Sequence, residues 1–113
     1  MAKVTSRKSG DVTIVDFTGR LVIGEGDYVL RQTVREALEG GAKNILLNLK
    51  DTTTIDSSGV GELVSAYTVV TNRGGKLKLA ALPPKVHDIL FITQLITVFE
   101  FYDDEKEAVA SFA

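Results

Sequence analysis

The chain has 113 residues, and its 13 basic side chains against 15 acidic ones give a formal net charge of −2. This length suits one domain with one hydrophobic core, and the charge argues against direct nucleic-acid binding or an anionic membrane surface. The lack of cysteine and the single histidine exclude a disulfide framework and a zinc site built by this chain alone. With no signal peptide or membrane-helix run in the pattern, we expect a soluble, cytoplasmic protein.

The N-terminal third predicts a β-hairpin followed by a loop and a helix. Residues 11–18 are rich in β-branched side chains, and residues 4–7 can pair with them through a turn at Ser9 and Gly10. Residues 19–27 contain three glycines and predict a loop. A helical pattern of apolar positions then ends at two consecutive glycines; it comprises Leu30, Val34, Ala37 and Leu38, before Gly40 and Gly41.

The middle of the chain predicts a strand, a helix and a second strand. Residues 44–49 form a nearly unbroken apolar run, typical of a strand that is covered on both faces. Residues 58–72 have helical spacing that leaves Glu62 outside the apolar face, and the helix is expected to end before Gly74. Residues 76–80 alternate polar with apolar side chains and predict a half-buried strand.

The C-terminal third predicts a helix, a strand and a short helix. Pro83 and Pro84 suit the start of the third helix, which carries Val86, Ile89 and Leu90 on one face. Residues 96–101 are expected to form the last strand. Asp103 or Asp104 can then cap a final helix whose apolar side chains are Ala108, Val109 and Phe112.

Strands that alternate with helices predict an α/β fold, since parallel strands need crossover connections of this length. We therefore expect a mixed, mostly parallel sheet of about five strands with helices packed against it. The N-terminal hairpin supplies the antiparallel edge. Residues 1–113 are expected to form one domain, because the pattern contains no linker or internal repeat.

The junction between the central strand and the second helix carries the most informative polar residues. Ser57 is predicted to cap the helix, whose positive end favours an anion. Gly59 and Gly61 are poor helix formers, so they indicate either close packing inside the fold or close approach by another protein. On local pattern alone, a structural cap and a modified serine both remain open.

Enzyme templates fit this sequence poorly. A serine hydrolase needs a base, and His87 is expected on the solvent side of the third helix. The segment from Gly24 to Gly26 is an incomplete dinucleotide fingerprint. The aspartates at strand ends and helix starts, including Asp56, are explained by those positions. The sequence therefore assigns no catalytic residue, metal or cofactor, although a small hydrolase or nucleotide-binding enzyme stays the rival from another class.

Residues 48–51 and 55–61 together resemble the phosphorylation motif of bacterial anti-sigma factor antagonists, the STAS-domain family. The resemblance extends to residues 17–21, 74–77 and 95–101 and so covers nearly the whole chain. It implies a STAS fold in which an anti-sigma factor that is also a serine kinase phosphorylates Ser57.

The resemblance also implies a partner switch. The unphosphorylated antagonist binds the kinase and frees a sigma factor, phosphorylation releases it, and a metal-dependent serine phosphatase restores it. The protein is then a monomer or weak dimer. The residues expected at the partner interface are Asp56, Ser58, Gly59, Val60, Gly61 and Glu62, with Arg20, Gly24 and Glu25 from the loop that abuts the serine in the family fold. The alternative within this fold is a scaffold or assembly subunit, in another signalling or transport complex, that no kinase modifies.

Overall fold

The computed structural model describes residues 2–113 and contains five strands, four helices and a short 3-10 turn at Leu95–Thr97 within that range. The strands are β1 (Lys3–Ser9), β2 (Val12–Leu21), β3 (Asn44–Ile55), β4 (Lys76–Ala80) and β5 (Phe101–Tyr102). The helices are α1 (Gly26–Glu39), α2 (Ser57–Asn72), α3 (Pro84–Ile92) and α4 (Glu105–Ala110). No helix within residues 2–113 is both long and apolar enough to cross a membrane.

The five strands form one mixed sheet in the order β1-β2-β3-β4-β5. β1 and β2 are antiparallel and are joined by a turn at Gly10, whose φ of +61° suits glycine. The other three pairs are parallel. The predicted α/β class, with an antiparallel hairpin at the edge of a mostly parallel sheet, is confirmed.

The two faces of the sheet are covered unequally. The larger core packs α1, α2 and α3 against one face, with Ile45 and Leu47 of β3 fully buried there. The smaller core packs Ala108 and Phe112, from α4 and the residues after it, against Leu46 on the opposite face. Successive β3 side chains point to opposite faces, so the predicted burial of this strand on both sides is confirmed.

The predicted last strand over residues 96–101 is mostly wrong. Gln94, with a φ of +64°, follows α3, and the chain then makes the 3-10 turn before only two residues join the sheet edge. Phe99 is buried and Ile96 packs partly against the larger core. The apolar side chains of this segment therefore serve packing, while Leu79 and Ala80 of β4 pair with β5.

The alternating pattern of β4 also predicts the wrong environment for one side chain. The alternation predicts that Lys78 lies on the exposed face of the strand, but its side chain is buried because the segment after α4 lies over that face. Its Nζ donates hydrogen bonds to the backbone oxygen of Ser111 at 2.9 Å and to Ser111 Oγ at 3.0 Å. The ammonium group also lies 4.8 Å from the ring centroid of Phe112. These contacts compensate the burial of its charge.

Candidate functional site

Asp56 occupies the single position between the end of β3 and the start of α2. Its backbone is extended, with φ −118° and ψ −174°, and its Oδ1 accepts a hydrogen bond from the Gly59 N–H at 2.9 Å. Asp56 is therefore the N-cap. The prediction that Ser57 caps α2 is wrong, because Ser57 is already the first helical residue.

The same carboxylate also holds the loop between β2 and α1. Asp56 Oδ2 accepts a hydrogen bond from the Ile23 N–H at 3.1 Å, while the Asp56 N–H donates to the Leu21 carbonyl at 3.3 Å. The N–H groups of Ile23 and then Gly59 hold the pKa of Asp56 below its ordinary value. Asp56 thus stays ionised at neutral pH, and its stabilising contribution is lost as the pH falls through that lowered pKa.

Asp56→Ala should lower the melting temperature by roughly 5 °C, because α2 loses its side-chain cap. Asp56→Asn should lower the melting temperature by less, since asparagine is an equally good cap. Thermal unfolding followed by circular dichroism compares both variants with the parent. Equal losses from alanine and asparagine would show that the cap contributes little.

The two serines differ in exposure. Ser57 is exposed at the first position of α2, whereas Ser58 is half-buried. Gly61, one turn after Ser57, is also exposed, and a methyl group added there would enter open space. Ser57 and Gly61 therefore lie on an exposed face of α2 that begins at Ser57.

Gly59 is buried under the end of β2. A Cβ at this position would overlap the carbonyl oxygen of Leu21 and lie 2.9 Å from Cγ1 of Ile55. The expectation that Gly59 bares the helix for a partner is wrong, since its missing side chain makes room for the protein's own backbone.

Two further residues of the predicted interface are buried. Val60 is 6% exposed and belongs to the larger core. Glu62 is 5% exposed, and its Oε1 accepts hydrogen bonds from Arg31 Nε at 3.0 Å and from Arg31 Nη2 at 2.8 Å. Glu62 lies beside the apolar face of α2, where packing of α1 covers it, and Arg31 compensates its charge.

Arg31 was missed from the sequence because an arginine on the polar side of a helix normally faces water. Its side chain is half-exposed, and the contact with Glu62 raises the pKa of the guanidinium. The cleft beside this pair has a volume of about 70 Å³ and is lined in part by Ser65. This volume is below the roughly 300 to 1,000 Å³ that small-molecule sites usually span.

The end of β2 and the loop after it supply the remaining predicted residues, and this loop spans residues 22–25 rather than the predicted 19–27 because β2 and α1 extend into it. Arg20 is exposed near the end of β2, Gly24 is exposed with a φ of +75°, and Glu25 is half-buried. Ile23, which the sequence did not single out, is 71% exposed. Because the Ile23 N–H donates a hydrogen bond to the Asp56 carboxylate, this loop lies next to Ser57.

His87 is a surface residue, as predicted, with its side chain 46% exposed. Its ring contacts the rings of Phe91 and Phe101, and its Nδ1 lies 3.5 Å from Oδ1 of Asp88. These neighbours belong to α3 and β5. A serine–histidine pair with Ser57 is not among the contacts of the residues described here.

This chain is similar in sequence to known proteins. A family model described as the STAS domain matches residues 3–108. The anti-sigma F factor antagonist of Paenibacillus polymyxa is 30% identical over 98 residues, which span 87% of this chain and 84% of the relative.

Solved structures of similar proteins have the same fold as this chain. A candidate anti-sigma factor antagonist of Thermotoga maritima has a TM-score of 0.87 and 28% identity, covering 96% of this chain and 92% of the other. SpoIIAA of Bacillus in its phosphorylated form has a TM-score of 0.76 and 18% identity, covering 98% of this chain and 100% of the other.

Proposed function

This chain belongs to the STAS domain family, and on that premise we propose that it is an anti-sigma factor antagonist regulated by phosphorylation of Ser57. Unphosphorylated, it binds an anti-sigma factor serine kinase and so releases a sigma factor. Phosphorylation ends that complex, and a serine phosphatase restores the binding form. The observation that carries the proposal is the exposed Ser57 hydroxyl at the first residue of α2.

The position of Ser57 suits a modification that the fold must survive. An exposed side chain at a helix start can carry a phosphate in solvent near the positive end of the helix dipole. Ser58 is half-buried and less accessible. Because Asp56 is the cap, Ser57 has no capping task, which weakens the alternative of an unmodified scaffold serine.

The antagonist names of the Paenibacillus and Thermotoga relatives support the binding role. SpoIIAA of Bacillus, which has the same fold, is known in a phosphorylated form, and this supports phosphorylation as a modification that the fold can carry. We infer that the protein acts by binding and has no turnover of its own, as expected for a relative of anti-sigma factor antagonists. The partner surface then comprises exposed or half-buried residues around Ser57: Arg20, Ile23, Gly24, Glu25, Asp56, Ser58 and Gly61.

Incubation with the cognate kinase and ATP should add one phosphoryl group to the parent protein and none to Ser57→Ala. Ser58→Ala is the matched control and should be modified like the parent. Intact mass spectrometry measures all three. Full modification of Ser57→Ala would move the acceptor elsewhere and refute the proposal.

Ser57→Ala should also remain folded, because an exposed residue that is not the cap usually changes stability by less than about 0.5 kcal/mol. Its failure to accept phosphate then reports the missing hydroxyl. The unmodifiable variant should still bind the kinase, which a pull-down with the kinase can verify.

A further inference from the structure

The two oxygens of the Asp56 carboxylate join two separate segments. Oδ1 accepts from Gly59 in the first turn of α2, and Oδ2 accepts from Ile23 in the β2–α1 loop. Charge-assisted bonds of this kind are stronger than neutral ones. A single side chain beside Ser57 therefore connects the helix start to the loop.

The loop displays one large apolar side chain. Ile23 is 71% exposed, between a half-buried Val22 and an exposed Gly24 with a φ of +75°. The Glu25 N–H donates to the Val22 carbonyl at 3.2 Å, which makes residues 22–25 a tight turn. The bond from the Ile23 N–H to Asp56 ties the middle of this turn to α2.

A phosphate on Ser57 would place a second anion beside this carboxylate. The kinase transfers the γ-phosphoryl group of ATP: an Oγ–P bond forms, the bond to the β–γ bridging oxygen breaks, ADP leaves, and the hydroxyl proton passes to a base of the kinase. The product carries about −1.5 to −2 charge at pH 7. Asp56 does not escape the repulsion by protonation, because backbone N–H groups hold its pKa low.

We propose that phosphorylation of Ser57 breaks the hydrogen bond between Asp56 and Ile23, loosens residues 22–25 and displaces the exposed Ile23 side chain. The switch then acts twice, through the phosphate charge and through loss of the ordered loop. This inference rests on the proposed function, because it takes Ser57 as the acceptor.

The Asp56–Ile23 link can be tested without any kinase. Phosphoserine is incorporated at position 57 during synthesis of the full chain, and amide hydrogen exchange is followed by NMR. The Ile23 amide should exchange at least about tenfold faster than in the parent, while the Gly59 amide keeps its protection. Phosphoserine at Ser65, exposed farther along α2, is the matched control and should leave Ile23 unchanged.

Asp56→Asn separates the cap from the link. The asparagine oxygen still accepts from Gly59, but its NH₂ group cannot accept from Ile23. This variant should expose the Ile23 amide as phosphoserine does. Unchanged Ile23 protection in either protein would overturn the inference.

The outcomes distinguish this inference from the proposed function. If the kinase leaves Ser57 unmodified while synthetic phosphoserine still releases Ile23, the proposed function fails and the link stands. If the kinase modifies Ser57 and Ile23 stays protected, the inference alone is overturned.

Discussion

Gly59→Ala is expected to lower the free energy of unfolding by about 3 kcal/mol. The added Cβ would overlap the Leu21 carbonyl oxygen and crowd Ile55, and the backbone oxygen cannot move without disturbing the end of β2. Urea unfolding at equilibrium measures the change as a shift in midpoint at constant slope. The melting temperature should fall in parallel.

Gly61→Ala is the matched control, two residues farther along the same helix. Nothing lies within 4 Å of the position its Cβ would take, outside its neighbours and the helix backbone. Alanine there should raise stability by about 0.5 to 1 kcal/mol, because it restricts the unfolded chain and favours the helix. Equal effects at both positions would contradict the assignment of Gly59 to internal packing.

Ser57→Asp is expected to weaken binding to the kinase by about tenfold or more, because a charge at an interface without a partner is costly. Stability should change little. Asp56 already uses the Gly59 N–H, so a second carboxylate gains no further cap and meets a like charge.

Ser57→Asn is the control, with nearly the shape of aspartate and no charge. Titration calorimetry with the kinase compares the parent and both variants, and circular dichroism checks that each is folded. If aspartate and asparagine weaken binding equally, the loss of affinity comes from side-chain size, and the explanation by charge is wrong.

Local sequence patterns were sufficient to predict features that depend on neighbouring residues, such as the ends of helices and strands. Pro84 at the start of α3 and the glycines after α1 and α2 marked helix boundaries, because helix ends depend on neighbouring residues. The β4 bounds agreed with the prediction from alternation. The order of these elements predicted the α/β class, and the motif predicted the STAS family; both are confirmed.

Only the tertiary structure decided which neighbouring residue does what at the site. The sequence by itself placed polar and glycine residues at the β3–α2 junction, but Asp56 and Ser57 are equally good caps by type. The extended backbone of Asp56 and its hydrogen bond from the Ile23 N–H place Asp56 rather than Ser57 at the N-cap. Likewise, Gly59 lies under the Leu21 carbonyl and Gly61 does not, which depends on a segment distant in sequence.

The buried charges have the same explanation. Lys78 and Glu62 have the pattern of exposed residues, yet each is covered by an element from elsewhere in the chain. Periodicity reports the face of an element on which a side chain lies. Whether another element packs over that face, and whether it brings Arg31 or Ser111 as a partner, is determined by long-range packing that no local window contains.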